Sequence, residues 1–173
     1  MIKATSLSIS YSETEDRIIV DASDGRNATR LILTRRITRR LLAAFAQLLE
    51  KSSLAMKRAP ADMRSEVIAL EHLSAVAQAR QPTAGVPVNA VRPAASSPVV
   101  IAKVDVEVTQ RTFRAVFHST QEPIASLTLS RPKFHHLLAT LDRFAASAEW
   151  NIRDGAEWFG TSPIEIGKGR LVS

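Results

Sequence analysis

The chain has 173 residues, 45% hydrophobic and 23% charged, with 23 basic and 17 acidic side chains for a formal net charge of +6. This composition suits one globular domain or two small ones, with each half small and marginal alone, so the halves are expected to pack together or the chain to form a homo-oligomer, a dimer. The lack of cysteine excludes disulfides and thiolate metal sites. There is no signal-like apolar run at residues 1–6 and no stretch of about 18 apolar residues, which leads to the expectation of a cytoplasmic chain with no membrane span.

In chain order, Leu7, Ile9 and Tyr11 alternate with Ser6, Ser8, Ser10 and Ser12, the period of a half-buried strand. Residues 13–16 turn the chain. Residues 17–22 form a second β-branched run, and residues 23–27 a second turn in which Gly25 supplies positive φ. Residues 28–33 read as a third strand. Thr34 is suited to cap a helix whose apolar face is Leu41, Leu42, Phe45, Leu48 and Leu49.

Residues 53–98 read as a linker. Within it, residues 62–80 have a helical stripe of Val67, Leu70, Leu73 and Val76/Ala77, with Asp62 as the expected cap. Residues 81–98 are rich in proline and alanine and read as an extended connector. The pattern then recurs over residues 99–148. Val104, Val106 and Val108 alternate with charged residues, Phe113, Ala115 and Phe117 follow, and residues 124–129 form a third strand. Ser130 is the expected cap, Pro132 sits in the first turn, and Leu137, Leu138, Leu141, Phe144 and Ala145 give the helical face. Residues 149–173 form a tail with Trp150, Trp158 and Phe159. These aromatics either pack on the core or anchor a partner.

At a shift of 96 positions, Leu31, Leu33, Arg35, Leu41, Leu42 and Ala43 meet Leu127, Leu129, Arg131, Leu137, Leu138 and Ala139. Residues 1–52 and 99–148 are therefore read as two β-β-β-α units. The expected class is α+β, with antiparallel sheets covered by helices.

The most suggestive cluster is Arg35, Arg36, Arg39 and Arg40, in the first two turns of the first helix. Cations at a helix N-terminus oppose its dipole, at a cost of about 0.3–1 kcal/mol each when exposed. A phosphate reverses the sign, because free amides, dipole and guanidinium groups then converge on it. Arg131 and Lys133, with His135 and His136, are the weaker counterpart in the second unit. The plainer alternative is a solvated basic face. The duplicated sheet-plus-helix layout is similar in outline to the Whirly and Pur-type nucleic-acid-binding folds. That resemblance implies sheet surfaces with stacking aromatics, from which this chain departs: only 5% of its residues are aromatic, and Asp105 and Glu107 sit on an outward face.

Enzyme signatures are weak. The adjacent pair His135-His136 points about 100° apart on a helix, which is poorly suited to one metal, and no glycine spacing matches a phosphate loop. No cofactor is expected. The leading expectation is a non-catalytic protein that binds DNA or RNA backbone through Arg35, Arg36, Arg39, Arg40, Arg131 and Lys133. The alternative is an assembly module using Leu70, Trp150, Trp158 and Phe159.

Overall fold

The computed structural model describes residues 1–79, 97–109, 112–152 and 158. Eight strands are described: β1 (Ile2–Ala4), β2 (Ser6–Ser12), β3 (Arg17–Ser23), β4 (Ala28–Leu33), β5 (Val99–Val100), β6 (Lys103–Val108), β7 (Thr112–His118) and β8 (Pro123–Ser130). The helices are α1 (Arg35–Ser52), α2 (Leu54–Arg58), α3 (Arg64–Ala79) and α4 (Arg131–Ser147), with a 3-10 turn at Ala61–Met63 before α3. The architecture is α+β, with two mostly antiparallel four-stranded sheets.

Each alternating run became the strand its period implies. β2, β3 and β4 form an antiparallel meander in which Leu7, Ala22 and Thr29 share one row and Tyr11, Ile18 and Leu33 another. β6, β7 and β8 form the second meander, with Val104 opposite Phe117 and Phe113 opposite Leu129. Gly25 takes φ +92° in the β3–β4 turn, the left-handed backbone for which glycine carries no steric cost.

The two shortest strands tie the halves together. β1 pairs in parallel with β8, and β5 pairs in parallel with β4, so each half lends an edge strand to the other half's sheet. At one crossing, Ile101 N–H donates to the Ile32 carbonyl (3.0 Å) and Ala102 N–H to the His118 carbonyl (2.9 Å). At the other, Thr5 N–H donates to the Ser23 carbonyl (2.8 Å) just after Ala4 leaves β1.

The helices also cross over. α1 packs against β6, while α4 packs against β2 and β3 as well as β7 and β8. One apolar core results, running from Ile18, Leu33 and Phe45 to Phe113, Phe117 and Leu138. At its centre Phe134 stacks on Phe113 (centroids 4.2 Å apart) and meets Phe45 at 4.6 Å, joining α4, β7 and α1. The shared core removes the need for a second copy that small, separate halves would create.

Two expectations need correction here. Asp62 does not cap α3; it lies inside the 3-10 turn that precedes the helix. The buried face of α3 is Ile68, Ala69 and Ala75, whereas Leu70 is 58% exposed. The helix is rotated from its most apolar stripe because Glu71 and His72 make contacts on the inner side. The connector at residues 81–98 falls almost wholly outside the described residues.

Candidate functional site

α1 begins where β4 ends. Thr34 is extended, and its hydroxyl accepts from Ile37 N–H at 3.3 Å, which fixes the first turn. Ile37, Leu41, Leu42 and Phe45 then face the core, and helical geometry directs Arg35, Arg36, Arg39 and Arg40 outward. All four arginines are exposed. Among the described residues, no carboxylate lies within ion-pair distance of Arg35, Arg36 or Arg40. Arg36 and Arg40 sit about 6 Å apart along the axis. The exposed face continues through Ala44 and Gln47 to Lys51 with no exposed acid.

An acid close enough to feel the charge of Arg35 is Asp16, in the β2–β3 turn. Its Oδ1 accepts from Trp150 Nε1 (2.6 Å) and Tyr11 Oη (2.7 Å). These bonds, with the nearby charges of Arg17 and Arg35, hold its carboxyl below the usual carboxylate range. The Asp16 carboxylate is thus committed to two ring donors beside the arginine cluster.

At the aligned start of α4 the chemistry is inverted. Arg131 turns inward, and its guanidinium donates to Glu71 on α3, to Ser52 Oγ (2.7 Å) and to the Leu49 carbonyl (2.8 Å). It also lies 5.9 Å from the Phe113 ring centroid. Arg131 therefore leaves the candidate phosphate set, because its donors already hold α1, α3 and α4 together. Lys133 and His136 are exposed, while His135 is fully buried.

Around Arg131 is a polar node that the sequence reading missed. Glu71 Oε2 accepts from Ser53 Oγ (2.8 Å), and Oε1 lies 3.5 Å from His135 Nε2. His135 Nδ1 is 3.0 Å from His72 Nδ1, so one ring must donate and the other accept. The carboxylate beside Nε2 favours a proton there, which makes His135 Nδ1 the acceptor and His72 Nδ1–H the donor. Burial would raise the Glu71 pKa, but His135, Arg131 and Ser53 outweigh it and bring it to about 2. Burial, with the neighbouring His135, lowers the His72 pKa to about 4. The only sequence signal for this node was a Glu-His pair interrupting an apolar helix face. Its partners lie about 60 residues away, beyond the reach of any local pattern.

The aromatic anchors are also spent internally. Trp150 is 2% exposed and packs edge-on against Tyr11 at 6.0 Å. Trp158 is 5% exposed, donates to Glu50 Oε1 at 2.5 Å and meets His72 at 5.4 Å. Both are therefore corrected from partner-binding to packing residues. Phe159 lies outside the described residues. Among the described residues, no three His, Asp or Glu side chains are grouped to hold a metal ion, and no helix is long and apolar enough to cross a membrane. Comparison of the chain with protein-family models, curated proteins and solved structures finds no match.

Proposed function

We propose that this chain is a non-catalytic, cytoplasmic nucleic-acid-binding protein that holds phosphates with Arg35, Arg36, Arg39 and Arg40. The observation that carries this reading is four exposed guanidinium groups in the first two turns of one helix, where the dipole favours an anion. The net charge of +6 supports it. In the same reading, residues 1–52 and 99–148 are two copies of one unit, in the second of which the aligned Arg131 is turned inward while Lys133 stays exposed.

The test is a titration of a labelled oligonucleotide followed by anisotropy. Changing all four arginines to glutamine weakens binding by at least tenfold, about 1.4 kcal/mol, with the fold unchanged by circular dichroism. Equal affinity of the variant and the parent removes the reading.

A second reading, an assembly module, is favoured by the exposure of Leu54 (67%), Met63 (52%) and Leu70 (58%) around α2 and α3. It predicts a salt-insensitive oligomer by light scattering that Leu70→Glu dissociates.

A further inference from the structure

A cleft of about 570 Å³ opens between β2, β8 and the first turns of α4. Its size falls within the range of about 300–1,000 Å³ typical of small-molecule sites. Its floor comes from inward-facing residues of both sheets. Leu7, Ile9 and Leu129 are only half-buried there, although their strand period directs them to the core. Leu137 closes the back. The mouth carries two exposed basic side chains, Lys133 and His136, and no acid is among its described lining residues.

Comparison with α1 shows what is unusual. At the 96-residue shift, Thr34 meets Ser130 and Ile37 meets Lys133. Thr34 accepts from Ile37 N–H, and Ile37 is buried (9% exposed). Ser130 makes no capping hydrogen bond, so the N-cap side chain leaves the first-turn amides of α4 unserved. Lys133 stands at the mouth where the aligned residue is an apolar side chain in the core. An apolar floor, a cationic rim and uncapped amides thus lie at one opening.

We propose that this cleft binds a small amphiphilic carboxylate, with its alkyl chain on Leu7, Ile9 and Leu129 and its carboxylate at Lys133, His136 and the α4 N-terminus. An alkyl chain gives cover to the floor, and the anion satisfies amides and cations for which the described lining residues offer no acid.

The experiment is isothermal titration of the full chain with octanoate and, separately, octan-1-ol. Octanoate binds one-to-one and saturably, and the alcohol at least tenfold more weakly. Lys133→Glu lowers octanoate affinity at least tenfold, while Lys133→Arg retains it. Ile9→Trp fills the floor and abolishes binding. If that variant loses its cooperative melt, Thr140→Trp at the rim serves in its place. No saturation by about 1 mM octanoate, equal affinity for acid and alcohol, or binding that survives both Lys133→Glu and the filling variant overturns the proposal. None of these variants touches the arginines of α1, so failure here and failure of the nucleic-acid reading are separable.

Discussion

The starts of α1 and α4 occupy matching places after a three-stranded meander, yet they do opposite work. In α1 a threonine caps the first turn and four arginines face solvent. In α4 the aligned arginine, Arg131, is drawn inward by Glu71, the serine is not a cap, and the buried aromatic Phe134 stands where α1 carries Thr38. The difference arises from the linker. Among the described residues, α3 brings Arg131 a carboxylate, Glu71, from outside both β-β-β-α sets, and it docks chiefly on α4. A basic residue at a helix start is therefore a surface feature or a structural clamp depending on whether a third element brings it an acid.

The comparison breaks most readily at the aromatic centre. Phe134→Ala leaves a cavity between Phe45 and Phe113 and is expected to cost about 4 kcal/mol. Because both halves share this ring, tryptophan fluorescence and far-UV circular dichroism should lose signal in one transition. Two separated transitions would contradict a shared core.

Next is the clamp. Arg131→Gln strands Glu71 at a half-buried site and is expected to cost about 3 kcal/mol in denaturant unfolding. Arg35→Gln at the aligned position leaves the midpoint unchanged or slightly raised, since it removes a cation that opposes the dipole.

The node also sets the pH response. His72 titrates near 4 when folded and near its ordinary value of 6.5 when unfolded, so the unfolded chain takes up protons first as pH falls. Its contribution is complete above pH 6.5 and is lost between there and about pH 4. Glu71, held near 2 against an ordinary 4.5, adds a second loss below pH 4.5. Melting temperature is thus expected to be flat above neutrality and to fall in two stages in acid. His72→Phe should remove the first stage alone.

The smallest effect is at Thr38, which is fully buried and whose hydroxyl has no hydrogen-bond partner among the described residues. Thr38→Val is expected to stabilise the chain by about 1 kcal/mol in the same unfolding assay.

The six meander strands and both long amphipathic helices were legible because alternation and helical spacing are local signals. β1 and β5 were not, because two or three residues carry no period and their pairing is with the distant half. The buried face of α3 was misread for a related reason: Leu70 raised the apolar stripe on one side, while Glu71 and His72 found partners on the other. The arginine cluster of α1 was visible in sequence and is exposed in the fold. The inward turn of Arg131 depends on an acid 60 residues away, which no local spacing encodes.

The opposed roles of the two helix starts are tested most directly by the slope of log affinity against log salt for a labelled oligonucleotide. Glutamine at Arg35, Arg36, Arg39 and Arg40 is expected to flatten that slope by about 3 units, as four lost phosphate contacts require. Arg131→Gln, measured where it remains folded, should change the slope by less than about 1 unit. Equal flattening by both, or none from the α1 variant, would contradict the assignment of phosphate contact to α1 and of clamping to α4.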